Sequence, residues 1–505
     1  MENILIGLEA ALEPSRLMFM IVGTFVGIWI GALPGLGPVT ATAIILPFTY
    51  FMDPLSALLL IASIYSASAY SGSVSSILLN IPGEATSAAT AFDGYPMAQQ
   101  GKARVALGLS LTASLVGAIA GCLVLTFASE PLLQIALKFS PAEYFALAVL
   151  GLVAISAAGG GNIYKGLAMC CVGMAIGFVG VDSVIGVPRY TFDTLYLQSG
   201  FSLVAVMTGL FAVSEVIGMM LSGGTIAKQG ELKGSLWDGV VETFKHPKAL
   251  SVSTVLGMII GIMPGVGATT ANFVCYNVAQ RMSKTPEQFG KGSAEGIIAP
   301  EASNNSCVCT SLIPALTLGI PGGATSAVLL IALTVHGIRP GTMLFTSQPD
   351  LIYGFFVGVF IASILFFVMG ALLTNSFALM TTAKNEILAP ILLVASLIGA
   401  YAYQQNPTDV LVAIVVGFAG YFFKRHAFPV AGIVMGLVLG PLAEVSFHQS
   451  LMMTGGSYGI FIERPICAGL LALSALMVIW PLVARLIRKA RSAPMSERSV
   501  SVAGE

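Results

Sequence analysis

At 505 residues the chain is 56 % hydrophobic and only 9 % charged, with a mean hydropathy of +0.89. That composition excludes a water-soluble globular core and leaves a polytopic membrane protein, because many runs of about 20 uncharged residues can each cross a ~30 Å hydrocarbon layer. The net charge of −1 says little about partners, since the sidedness of the charges matters more than their sum, and no nucleic-acid partner is expected of a membrane protein of this kind.

In chain order, the N-terminal MENILIGLEAALEPSR places three glutamates before its single arginine, unlike a cleaved signal peptide, so its helix is expected to be retained, with the N-terminus external. Apolar segments follow at about 17–51, 55–91, 104–128, 142–158, 163–181 and 200–221, and after a charged stretch at about 249–280, 292–337, 350–373, 386–403, 408–423, 427–441 and 465–487. Several exceed one crossing. The long ones are broken by glycine and proline: GALPGLGPVTA at 31–41, IPGEATSA at 81–88, GIMPGVGATTA at 261–271 and IPGGATSA at 320–327. Seven cysteines (122, 170, 171, 275, 307, 309 and 467) lie in apolar context with no CxxC spacing and read as small core residues.

The breaks align as a repeat. With an offset of 230, residues 27–41 match 257–271 at eight of fifteen positions, and with an offset of 239, residues 81–88 match 320–327 at seven of eight. Two matches in the same order divide the chain into a first half at 1–221, a connecting loop at 222–248, a second half at 249–487 and a tail at 488–505. Fifteen of the 23 basic residues fall at 102–104, 165, 228–248, 384, 424–425 and from 485 onward, which makes these joints and the tail cytoplasmic. The alternate joints near Lys138, Arg189, Arg339 and Arg464 become external, and the repeats become inverted. The same alternation puts Arg281, Lys284 and Lys291 outside, unless 261–271 is re-entrant. The expected fold is an all-α polytopic membrane protein of two inverted repeats, with broken helices, re-entrant hairpins and about 11–14 membrane segments.

Non-helical backbone at membrane depth is tolerated where protein or a water-filled cavity satisfies its polar groups, and paired broken segments place half-helix ends at such sites. Substrate is therefore expected between the IPG tips, on Asn80, Pro82, Gly83, Thr86 and Ser87 in the first half and Pro321, Gly322, Thr325 and Ser326 in the second, with Asn304 and Asn305 beside them. The coupling ion is expected at the PG loops, on Pro34, Gly35, Gly37 and Thr40 and on Pro264, Gly265, Gly267 and Thr270. No Lys or Arg occurs at 17–101 or 292–338, so a bound anion would be neutralised by N–H groups, hydroxyls and a co-bound cation, which favours symport. Of the nearby acids, Glu84 and Glu295 flank these motifs, Glu301 is a candidate for lining the cavity, Asp53 and Asp93 less so, and Glu215 reads as an interfacial acid. No HExxH, GxSxG elbow or GxxxxGK[ST] is present, so neither an enzyme nor an ATP-driven pump is expected, and no cofactor beyond the coupling cation. A channel, or an ion-coupled transporter of another small anion working without a binding protein, is the alternative.

The PGLG and PGVG breaks, YSGSVSSILLNIPG (70–83) leading to FDGYPMAQQGKA (92–103), and APEASNNS (299–306) leading to LIPALTLGIPGGATSAVLL (312–330) and HGIRPG (336–341) resemble the large permease subunit of the tripartite tricarboxylate transporters, the TctA family, over roughly residues 20–485. Ser71, Cys307, Cys309 and Gly323 depart from the small residues expected of that pattern. The resemblance implies a multi-pass permease of a bacterial inner membrane. It would take a di- or tricarboxylate from a periplasmic binding protein (TctC-like), work with a small membrane subunit (TctB-like) in the lipid, and be driven by Na+ or H+. A homodimer is left open as an assembly.

Overall fold

A computed structural model describes residues 2–33, 35–158, 162–182, 184–222, 234–377 and 385–492. It is 81 % helical, and eight helices among the described residues are long and apolar enough to cross a membrane. The tail from 493, residues 223–233 of the connecting loop, and Pro34 lie outside the described residues.

Helix α1 (Glu2–Ala11) precedes α2 (Pro14–Gly31), which has proline in its first turn. After the first PG break comes α3 (Pro38–Thr49), and then α4 (Pro54–Leu79), capped by Asp53, whose carboxylate accepts the Ser56 N–H at 3.1 Å. Arg16 at the start of α2 pairs with Asp53 just past α3, at 3.8 Å, so α2 and α3 form a hairpin whose tip is the PG loop. Beyond α4 the chain turns back, the Gly83 N–H donating to the Gly72 carbonyl at 3.2 Å. It then descends through a turn at Ala85–Ser87 and α5 (Ala88–Met97), and, after a kink at Gly101 with φ 79°, enters α6 (Ala103–Ala136).

Helices α7 (Pro141–Ala158) and α8 (Ile163–Gly177) lead to a small ribbon of β1 (Gly180–Val181) and β2 (Pro188–Arg189) and to α9 (Leu195–Gln198). Then α10 (Leu203–Met207) passes through a π-turn at Thr208–Val213 into α11 (Ser214–Ser222). Helix α12 (Leu236–Thr243) lies on α6, where a Cβ on Gly239 would meet the Leu109 N at 2.8 Å.

The second half repeats the plan with α13 (Pro247–Ile262), the second PG break and α14 (Gly267–Met282). Lys248 and Ala249 at one end of this pair and Met282 and Ser283 at the other wall the same small crevice, so it too is a re-entrant hairpin. Asp93 of α5 accepts the N–H groups of Gly290, Gly292 and Ser293 at 2.7–2.9 Å, and Gln100 donates to the Lys291 carbonyl. Residues 281–291 thus lie beside Lys102 and 238–248 rather than across the membrane from them. The simple alternation of basic joints fails here because α13–α14 does not cross.

Next come α15 (Ala294–Thr310), α16 (Leu312–Leu318), the second IPG and α17 (Ala324–Val335). After α18 (Thr342–Ser347) and α19 (Pro349–Leu373), α20 (Asn385–Gln404), α21 (Pro407–Arg425) and α22 (Ala431–Met453) follow, with α23 (Ile460–Glu463) and α24 (Pro465–Ser492) last.

The sequence repeat is also a packing repeat. A Cβ on Gly27 would lie 2.7 Å from the Ile64 carbonyl and 3.0 Å from Ala67 Cβ. One on Gly257 would lie 2.6 Å from the Ser303 carbonyl and against Ser306. Offsets of 230 and 239 convert the first set of partners into the second. Small residues let α2 seat on α4, and α13 on α15, at close range. The halves then interlock: α6 glycines Gly117 and Gly121 seat on Ala302 and Ser306 of α15, while α19 glycines Gly354 and Gly358 seat on Leu55 and Leu59 of α4. In the same way α22 packs on α8, and α21 on α10 and the π-turn. Among the described cysteines Cys171 alone is exposed; the other six are buried in the core.

Candidate functional site

All four breaks meet at one cavity of about 640 Å³, a size ordinary for small-molecule sites. The first PG loop contributes Gly35, Gly37 and Thr40, and the second contributes Gly267 and Thr269. The first IPG tip contributes Pro82, Gly83 and Thr86, and the second Gly322, Gly323 and Thr325.

Glycine is required at these tips for two different reasons. Gly35, Gly265 and Gly267 have φ of 82°, 77° and 71°, the left-handed region that a side chain disfavours. Gly83 instead needs its missing side chain, since a Cβ would stand 2.7 Å from the Gly31 carbonyl oxygen and from Gly72 Cα. Gly322 does the same against Ser311, at 2.8 Å.

Helices α3, α14 and α17 and the turn into α5 all begin at this cavity. Neither α3 nor α14 has a side-chain cap. Their first-turn N–H groups carry the positive ends of helix dipoles into one space, an arrangement suited to an anion. Ser87 and Ser326 are engaged as caps: Ser87 Oγ accepts the Glu84 N–H at 3.3 Å and Ser326 Oγ the Gly323 N–H at 2.9 Å. Thr86 and Thr325 stay on the cavity side.

Several expectations need correcting. Asn80 ends α4 as an exposed left-handed residue, φ 56°, away from the cavity wall. Thr269, not Thr270, reaches the cavity, because α14 starts at Gly267 and its first three residues, Thr269 the third, face inward. Gly265 packs on Gly151 and Ile155 of α7. Asn304 lines the wall with its Nδ2 donating to the Ala69 carbonyl at 3.0 Å, whereas Asn305 is directed to the Ser66 carbonyl and lies outside the lining, as do Pro264 and Pro321. Glu301 does not reach the cavity, and Asp93 is engaged by the loop at 290–293.

The cavity also holds a basic residue from outside the motif segments. Lys424, from the end of α21, enters the cavity and pairs with Glu215 at 2.9 Å. Glu215 in turn lies against Gly35 of the first PG loop, so the acid read as interfacial also lines this cavity. Glu84 is the third charged residue of the lining, resting over Gly37 where the second half has Gly323 over Gly267. No local signal marks Lys424: it reads as one member of a basic joint, and only the packing of α21 on the π-turn brings it inward.

A second cavity, of about 870 Å³, lies on the other side of the α16–α17 tip. Leu318, Gly319, Leu330 and Ile331 face it, while Gly322 to Thr325 face the first. Arg189 and Arg339 line it, from joints expected to be external; Arg189 pairs with Glu444 and Asp182. The tip at 318–325 is thus a partition between two cavities.

The sequence profile of the Tripartite tricarboxylate transporter TctA family matches residues 17–435. A protein of Agrobacterium vitis, described as an uncharacterized 52.8 kDa protein in the TAR-I ttuC' 3' region, is 36 % identical over 480 residues, 94 % of this chain and 95 % of its own length. Another from the same organism, an uncharacterized protein in the TAR-II ttuC' 3' region, is 36 % identical over 227 residues, 45 % of this chain and 94 % of its own. No solved structure matches.

Proposed function

The chain belongs to the tripartite tricarboxylate transporter TctA family, and from that premise we propose that it is the permease subunit that carries a di- or tricarboxylate inward by symport with Na+ or H+. The observation that carries this reading is the convergence of both IPG tips, both PG loops and Lys424 on one cavity. Substrate carboxylates sit between the tips, held by first-turn N–H groups, by the hydroxyls of Thr86 and Thr325, and by Lys424 once Glu215 yields it. Charge-assisted hydrogen bonds of this kind are about twice as strong as neutral ones, and an ammonium suits a mobile anion because it acts as a point charge.

Lys424 and Phe428 of the lining adjoin the basic joint at 424–425, which supports reading this state as the inward-facing one. Movement of the 318–325 partition exchanges it for the outer cavity, and inversion of the repeats makes the two states related arrangements of the same parts. A secreted binding protein loads the outer cavity. The small membrane subunit covers exposed apolar helices of this multi-pass protein in a bacterial inner membrane.

Uptake by proteoliposomes carrying the complete complex tests the reading. Accumulation of a tricarboxylate or dicarboxylate is expected under an imposed Na+ or proton gradient and only with the binding protein present. Gradient-independent single-channel currents, or full-rate uptake by this chain alone at low micromolar substrate, would refute it.

A further inference from the structure

Glu301 follows Pro300 in the middle of α15 and is 1 % exposed. A shell of hydroxyls from the first half of the chain surrounds its carboxylate. Ser73 of α4 and Thr90 of α5 donate to Oε1, and Ser114 of α6 donates to Oε2 at 3.0 Å. Ser110, one turn before Ser114 on the same face of α6, is wholly buried near this carboxylate, yet its Oγ makes no well-formed hydrogen bond. Among the described residues no basic side chain pairs with Glu301.

A bare carboxylate at this depth is strongly disfavoured, and neutral dipoles alone do not balance its charge. The hydroxyl oxygens keep lone pairs after donating to the carboxylate, so the shell offers several hard oxygen ligands around one negative charge. We propose that Glu301, with Ser73, Thr90, Ser110 and Ser114, binds the coupling cation, a sodium ion or a proton. This rests on the symport reading above and moves the ion from the PG loops to a site behind the substrate.

The register of two helices connects the sites. Asn304 stands about one turn past Glu301 on α15, and Thr86 about one turn before Thr90, and both line the substrate cavity. Asn272 of α14 joins them, donating to the Thr86 carbonyl at 2.8 Å while its Oδ1 accepts the Ser303 hydroxyl at 2.9 Å. A cation drawing Thr90 and Ser73 onto Glu301 therefore sets the position of the first IPG tip against α15. Because shell and carboxylate come from opposite halves, the ion site is complete only when those halves are closed.

The test has two arms. In proteoliposomes of the complete complex, comparing sodium and pH gradients identifies the ion, and Glu301→Gln is expected to lower gradient-driven accumulation at least tenfold. Ser114→Ala should raise the half-saturating cation concentration roughly three- to tenfold, as loss of one oxygen ligand requires. In detergent, the melting temperature of the purified wild-type chain should rise with Na+ over choline if the ion is sodium, or depend on pH if it is a proton, and that dependence should vanish in Glu301→Gln. A Glu301→Gln protein that keeps wild-type cation dependence in both arms, the result expected of a site at the PG loops, overturns the proposal. If wild-type liposomes accumulate no carboxylate under either gradient, the symport reading fails, while the melting experiment still decides whether Glu301 binds a cation.

Discussion

Gly83→Ala is the sharpest test of how the first IPG tip is built. Its φ is not in the left-handed region, so the added methyl meets only a steric obstacle. That methyl would stand 2.7 Å from the Gly31 carbonyl oxygen and Gly72 Cα and 2.9 Å from the Gly72 carbonyl oxygen. All three are backbone atoms that cannot rotate aside, whereas carbon contacts relax near 3.5–4.0 Å. The tip must therefore move by close to an ångström, at an overpacking cost of about 1–3 kcal/mol. If the strain is felt in the substrate-bound state, half-saturation rises roughly five- to 150-fold. Two controls isolate the cause. At Gly72 the nearest atom to a Cβ is Ser87 Oγ at 3.6 Å, and at Gly323, whose φ of −171° is extended, it is Gly267 Cα at 3.9 Å. Alanine at either should melt like wild type, and the Gly72 variant should also transport like it, whereas the Gly323 methyl enters the cavity itself. Initial uptake rates against substrate concentration, with melting temperature on the same preparations, provide the comparison. Equal losses in all three variants, or wild-type behaviour of Gly83→Ala, would refute the reasoning.

Lys424→Met should raise half-saturation for a carboxylate about ten- to hundredfold, the range for a hydrogen bond to a charged group, with Lys424→Arg recovering part of the loss; unchanged initial-rate kinetics would remove Lys424 from the site. With Cys171 replaced by serine, cysteines introduced at Lys245 and Lys284 should react with a membrane-impermeant maleimide from the same side, and labelling from opposite sides would contradict the α13–α14 hairpin. Asp93→Ala leaves three backbone N–H groups and the Tyr276 hydroxyl without their acceptor; a loss of about 3 kcal/mol or more is expected in detergent unfolding, and a loss under about 1 kcal/mol would show that the 290–293 loop finds other partners.

The parts of this architecture visible in sequence are those carried by local chemistry. Proline and glycine at 34–37 and 264–267 announce breaks, and the aligned IPG motifs announce that the breaks are paired. What could not be seen depends on which helices lie side by side. Lys424 looks cytoplasmic because it adjoins Arg425, and only the docking of α21 on the π-turn directs it to the cavity. Residues 281–291 look external because a hydrophobic stretch of that length is read as a crossing, although its PG tip turns the chain back. Thr269 rather than Thr270 was missed because a one-residue difference in where a helix starts rotates each side chain by about 100°.

The interlocking of the halves also governs how the protein can be made. Helix α4 is buried from Leu55 to Ile77, and its 26 residues include eight serines, among them Ser66 and Ser73, whose neighbours in the finished structure include α15. Helix α15 leaves the ribosome roughly 200 residues after α4, a delay of about 10–40 s at ordinary synthesis rates of about 5–20 residues per second. Throughout that interval a polar, small-residue helix must wait in lipid or beside the insertion machinery without the partner that completes its hydrogen bonds. Biogenesis of the permease is thus exposed to degradation at a stage fixed by chain order, and a membrane chaperone that shelters α4 until α15 arrives would set the yield of protein independently of the stability of the final fold.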